Sequence, residues 1–215
     1  MATHSPLQLA ELLTSRFCHD LIAPIGAINT GLELLQETLP GHLTESDEVL
    51  NLILHSAETA SARISFYRVA FGSGSGKIPL DNIKELIKKY FLRSKLQINW
   101  KESSQKDFSL NTWGRILLNA VLWMSECAPR GGILQVSVPK MDLPRLSLRL
   151  QADSIILHQG TLEALEGKAM LQDVTPRTIP CYLIHALLKE GNGHLIINKT
   201  SSPSELVLEV RMSEI

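Results

Sequence analysis

Ser15-Arg-Phe-Cys-His-Asp-Leu-Ile-Ala-Pro-Ile-Gly-Ala-Ile-Asn-Thr-Gly-Leu-Glu-Leu-Leu35 sits at the centre of a long periodic stretch. Leu13, Phe17, Leu21, Ile25, Ile28, Leu32, Leu35 and Leu39 recur at intervals of three or four. That spacing is one continuous apolar stripe of an α-helix. Outward from it, Ser5 and Pro6 suit a helix start and Pro40-Gly41 a stop, which predicts a helix from about Pro6 to Leu39. Thr44-Glu-Ser-Asp-Glu48 supplies a cap and first-turn acids for a second helix. Its stripe is Val49, Ile53, Ala57, Ala60, Ile64, Tyr67 and Phe71. A short connection makes the two helices antiparallel neighbours. A helix of about 34 residues is ~50 Å long, and two of them share only one interface. Such a unit buries its stripes against the chain's own C-terminal half or against a second copy. The burial argument favours a homodimer through residues 6–72, a four-helix bundle about a two-fold axis.

Gly72-Ser-Gly-Ser-Gly-Lys77 is the clearest boundary. It follows a helix rather than a strand and Ile78 stands where a P-loop needs Ser or Thr, so it reads as a linker. The expected division is a hairpin over residues 1–72, a linker over 73–78 and an α/β domain over 79–215. In that domain, helical periodicity covers Pro79 to Arg93, Leu110 to Cys127 and Thr175 to Lys189. Period-two alternation marks strands at Leu96–Trp100, Ile133–Val138, Arg145–Leu150, Leu195–Asn198 and Glu205–Arg211. The expected class is α+β: a helical hairpin followed by a sandwich with helices on one face of a mixed sheet. Gly191-Asn-Gly193 reads as a helix cap and turn.

The composition is that of an ordinary globular chain. Of 215 residues 44% are hydrophobic, and 21 Lys and Arg balance 22 Asp and Glu to a net charge of -1. Without a basic excess, no nucleic-acid footprint is expected. No apolar run approaches the ~18–20 residues of a membrane span, and the N-terminus has no signal-peptide pattern. Cys18, Cys127 and Cys181 have no metal-ligand spacing, nor do His55, His158, His185 and His194. The expectation is a reduced, cytoplasmic protein without a structural metal.

The chemistry-bearing residue is His19. At 100° per residue it lies about 200° from Phe17 and Leu21, so it points away from the apolar stripe. Ser15, Arg16, Ile22 and Ala23 are its neighbours at three and four residues, with Gly26 a turn further. Small residues there leave a shallow face that a large partner can approach. A lone histidine on a helix is usually a solvated surface residue, but two features set this one apart. Asp20 follows it and can bias the imidazole tautomer or take a proton. Pro24 lies inside the helix, where it costs about 3 kcal/mol, and a local bend that presents the imidazole accounts for it.

His19-Asp-Leu-Ile-Ala-Pro-Ile-Gly-Ala-Ile28 resembles the H-box of histidine kinases: His, an acid, Leu, two variable positions, Pro, then aliphatics. The longer stretch from Ser15 to Leu35 is similar to the ChpT-type histidine phosphotransferases of alphaproteobacteria, and the chain shares their layout throughout. The resemblance implies a phosphorelay carrier. His19 would accept a phosphoryl group from an aspartyl phosphate on the receiver domain of a CckA-type hybrid kinase. It would pass the group to response regulators of the CtrA and CpdR types. Asp20 would orient the ring, and Ser15, Ala23 and Gly26 would line the docking face. Arg16 would neutralise phosphate oxygens or stand solvated. Arg63, Tyr67 and Arg68 on the second helix read equally as partner contacts and as solvated or core-edge residues. No cofactor is expected on this chain, with Mg²⁺ belonging to the partner receiver. Bifunctional kinases carry Thr or Asn four residues after the His; Ala23 stands there, so no phosphatase activity is expected.

By the same resemblance the second half is similar to a histidine-kinase ATPase domain of the Bergerat type. Asn119 falls where kinases place a Mg²⁺ ligand, but Arg115 replaces the earlier Asn of that box. Asp153 is followed by no glycine, and Thr178-Ile-Pro-Cys181 stands at the position of a glycine-bearing lid. Without that close backbone approach a degenerate domain that does not bind ATP is expected, with Asn119 a structural residue. The rival readings are an ATP-dependent autokinase and a non-catalytic scaffold that docks receivers.

Overall fold

α1 (Pro6–Glu37) and α2 (Leu43–Ala70) open the fold. The computed structural model describes residues 6–37, 43–72, 78–101, 109–110, 112–138, 145–201 and 204–212. Leu39, Pro40, Gly41 and the Gly/Ser run at 73–77 lie outside the described residues. Gly31 lies against Ile53 and Val49, while Phe17 meets Tyr67, so the two helices run in opposite directions. The approach at Gly31 is tight: a Cβ there would come 2.6 Å from Ile53 Cγ1. α2 begins one residue ahead of the expected Thr44 cap.

The two stripes are unevenly covered. Leu21, Ala60, Phe66, Tyr67 and Ala70 are buried, whereas Ile25, Leu32 and Ile64 are exposed, along with Leu34, Leu50, Leu52 and Leu54. One helix–helix contact line covers only part of each stripe. The Phe66–Ala70 end is covered because the second half of the chain packs against it.

That half runs β1 (Ile78–Pro79), α3 (Leu80–Tyr90), β2 (Leu96–Trp100), β3 (Ser109–Leu110) and α4 (Thr112–Cys127). Then come β4 (Gly132–Ser137), β5 (Arg145–Gln151), α5 (Thr161–Leu165), α6 (Ile179–Glu190), β6 (Gly193–Ser201) and β7 (Ser204–Met212). Five strands form one mixed sheet in the order β2-β4-β5-β7-β6. β2 and β4 are parallel and the other pairs antiparallel. Alternation buries Leu134 and Val136, Leu146, Leu148 and Leu150, and Leu206, Leu208 and Val210 on one face, beneath α4 and α6. The other face carries the ion pairs Arg145–Glu209 and Arg149–Glu205, each 2.9 Å. Gly131 holds φ +98°, and a Cβ there would come 2.6 Å from the Lys95 carbonyl oxygen; glycine lets β4 start beside β2.

The elements differ from the sequence reading in several places. The helix expected from Leu110 starts at Thr112, because Ser109–Leu110 pairs with Ile78–Pro79. The helix expected from Thr175 starts at Ile179. Thr175 and Thr178 each donate a backbone N–H to the other's hydroxyl, closing a turn, and Pro180 fits the first helical turn. α5 has five residues, too few for a periodic signal.

Beyond that core, further contacts join the hairpin to the second half. Asn119 Nδ2 donates to the carbonyl of Ala70 at 2.9 Å, pairing an acceptor at the open end of α2, and also to the Arg115 carbonyl. Separately, Leu171, Val174, Ile179 and Leu183 form a small apolar cluster against Leu9, Leu12 and Leu13 of α1.

Candidate functional site

The site begins with a missing donor. In a regular helix the N–H of residue 24 bonds the carbonyl of Asp20, and Pro24 has none. α1 nevertheless continues through Pro24, which is buried. Arg63, on the facing turn of α2, donates from Nη1 to the freed Asp20 carbonyl.

The Asp20 carboxylate divides its two oxygens. Oδ1 lies 2.9 Å from His19 Nδ1. Oδ2 accepts from Arg16 Nε at 3.0 Å and from the Tyr67 hydroxyl. The Tyr67 oxygen is also 2.8 Å from the Tyr90 hydroxyl. Tyr67 is 2% exposed and sits among Phe17, Phe66 and Phe71. Burial acts to raise the Asp20 pKa, but the Arg16 charge and hydrogen bonds from Tyr67, His19 and Arg16 outweigh it and hold the carboxyl below its ordinary value. Burial pushes the Tyr67 hydroxyl well above its usual range, so it stays a protonated donor.

His19 itself stands out in solvent, its side chain 84% exposed. A carboxylate only accepts, so the proton of a neutral imidazole sits on Nδ1, facing Asp20, and the lone pair sits on Nε2. Ser15, Ala23 and Gly26 are exposed on the same face, and beyond its own stretch of helix nothing lies within 4 Å of a Cβ built on Gly26. Beside them opens a cleft of about 720 Å³ between α1 and the second half of the chain. Arg16, His19 and Asp20 form one wall, Glu126 and Pro129 another, and His158 and Arg177 line the remainder.

Arg16 departs from the sequence reading. It is neither a solvated charge nor an open phosphate contact: 8% exposed, it bonds Asp20, pairs with Glu126 and reaches the Pro176 carbonyl at 3.4 Å. Burial opposes its charge, and the Glu126 and Asp20 carboxylates more than offset that. The sequence contains no signal for Glu126, which arrives from the end of α4. Arg63 and Tyr67 belong to the Asp20 network, while Arg68 is exposed. Asp153 is exposed, and Thr178, Ile179, Pro180 and Cys181 are all buried. Cys18 is exposed, and burial pushes the Cys127 thiol up to about 12. Among the described residues no three His, Cys, Asp or Glu side chains converge on a metal position, and no helix is long and apolar enough to cross a membrane.

Comparisons with known proteins identify the family. The family model for the histidine phosphotransferase C-terminal domain matches residues 80–202. The chain is 33% identical over 203 residues to the protein phosphotransferase ChpT of Brucella abortus (strain 2308), covering 93% of this chain and 94% of that one. A solved bacterial phosphotransferase superposes with a TM-score of 0.81 at 31% identity, over 98% of both chains. The chain therefore belongs to the histidine phosphotransferase family and works in a phosphorelay.

Proposed function

We propose that His19 carries the phosphoryl group and that Nε2 is the atom that bears it. The observation behind this is the division at Asp20: Nδ1 is engaged at 2.9 Å while the rest of the ring faces solvent. In the forward step Nε2 attacks the phosphorus of an aspartyl phosphate on a receiver. The P–N bond forms as the P–O bond to the aspartate breaks, and the bonding pair leaves with that carboxylate. The ring keeps its Nδ1 proton and becomes cationic, and Asp20 lies against that charge. The second transfer reverses the step onto another receiver's aspartate. Mg²⁺ belongs to the receiver's acidic pocket, not to this chain.

The partners in this reading are receivers of a CckA-type hybrid kinase and of CtrA- and CpdR-type regulators, all in the cytoplasm. The exposed leucines of the hairpin, Leu32, Leu34, Leu50 and Leu54, support a homodimer with a four-helix bundle over residues 1–72. The domain over 79–215 does not bind ATP. Two features support that: the buried Thr178–Cys181 turn packs toward α1 rather than forming a glycine lid, and Asn119 is fully buried, with its Nδ2 donating to two carbonyls of the core. Ala23 offers no polar atom to hold a water, so the phosphohistidine is passed on rather than hydrolysed by this chain.

The test mixes the protein with a receiver domain charged by labelled acetyl phosphate. Label moves to the wild type and not to His19→Ala; equal label on both overturns the assignment. Micromolar ATP affinity in a nucleotide titration would revive the autokinase.

A further inference from the structure

We infer that Tyr67 is a positioning residue for phosphoryl transfer: from the buried side of the hairpin it fixes the carboxylate of Asp20 so that one oxygen is left for the Nδ1–H of His19. This rests on His19 as the phosphoacceptor.

An aspartate carboxylate turns freely about its last torsion, because that rotation has broad minima. Beside an exposed ring, such a carboxylate would hold Nδ1 only part of the time. Here Oδ2 takes two donors from the interior, Arg16 Nε and the Tyr67 hydroxyl, and Oδ1 is left facing outward to His19. The two donors are unequal. Arg16 sits at the end of a long chain. The Tyr67 ring has two torsions, stacks on Phe71 with centroids 4.8 Å apart and lies edge-on to Phe17 and Phe66. Its oxygen is braced from behind by the Tyr90 hydroxyl at 2.8 Å. Tyr90 is the last residue of α3, so the ATPase-like half supplies the back of the chain that reaches the nucleophile. Phenylalanine fits the same space and lacks only the donor.

Full loss of a hydrogen bond to a charged group corresponds to about tenfold or more in a rate or a population, and because Arg16 Nε keeps its hold on Oδ2 the part lost here is about five- to tenfold. Tyr67→Phe is expected to slow single-turnover uptake from the charged receiver by about that factor. In the same protein, heteronuclear NMR of the imidazole nitrogens should show His19 moving from the Nδ1–H tautomer toward Nε2–H. A purely structural role for Tyr67 would leave that tautomer ratio unchanged. If His19→Ala takes no label while Tyr67→Phe matches wild type in rate and tautomer, the proposal is overturned and the phosphoacceptor stands. If the wild type takes no label, the phosphoacceptor reading has failed separately, and the absence of a tautomer shift in Tyr67→Phe still overturns this one. Should Tyr67→Phe not fold, Tyr90→Phe decides by the same two readouts. It is expected to shift each about two- to threefold, and no change there overturns the proposal.

Discussion

Arg63→Met removes the group that takes the Asp20 carbonyl, and Pro24 determines what that removal costs. With Pro24 in place no helix N–H can replace the guanidinium, so a half-buried acceptor loses its protein partner. Leaving such a group unpaired costs about 1–3 kcal/mol; partial access of water at Asp20 puts the expected value near 1.5 kcal/mol. Methionine keeps most of the apolar stem, so lost packing adds little. In a Pro24→Ala background the N–H of residue 24 returns and bonds the same carbonyl. There Arg63→Met should cost at most about 0.5 kcal/mol, giving a coupling near 1 kcal/mol. Urea unfolding of the four proteins, followed by far-ultraviolet dichroism, measures that cycle. The wild-type background should lose about 3–6 °C in Tm on Arg63→Met, the alanine background far less. Equal losses in both backgrounds would refute the compensation between Pro24 and Arg63.

Two further outcomes follow from the same network. Glu126→Gln keeps an acceptor for Arg16 but removes its charge, and the pair's side chains are 9% and 20% exposed, so solvent screens it only partly. Stability should fall by about 1 kcal/mol, or about 2–4 °C in Tm by calorimetry; an unchanged Tm would mean the pair contributes nothing. Asp20 has a lowered folded pKa, so its contribution is fully present above the unfolded carboxyl value and is lost as pH falls through the folded one. The stability gap between wild type and Asp20→Asn should therefore hold at neutral pH and narrow below about pH 4; a gap that stays constant to acid would refute the sign.

The hairpin was legible because its signal is local. Three- and four-residue spacing places Leu21 and Tyr67 inside, and the rotation per residue alone turns His19 outward. The strands were legible for the same reason, since Leu134, Val136, Leu146, Leu148 and Leu150 alternate within single segments. The network around Asp20 was not legible. Tyr67 occupies a stripe position, which reads as core whether or not its hydroxyl works. Arg16 reads as a surface charge until Glu126, 110 positions further along the chain, is brought to it. Arg63 meets Asp20 across 43 positions, and only the donor missing at Pro24 hints that something must. The start of α6 was misplaced because two threonine hydroxyls compete locally with the helix, a balance that periodicity does not weigh.

Leu9, Leu12 and Leu13 meet the Leu171–Leu183 segment several turns before the reactive ring, and this joint has a consequence for any visiting protein. It seats the neighbouring α/β layer against the helix that bears the histidine, so the two present adjoining surfaces. A visitor that reaches the ring therefore meets both surfaces at once, and its fit to the second weighs on whether it stays at the first.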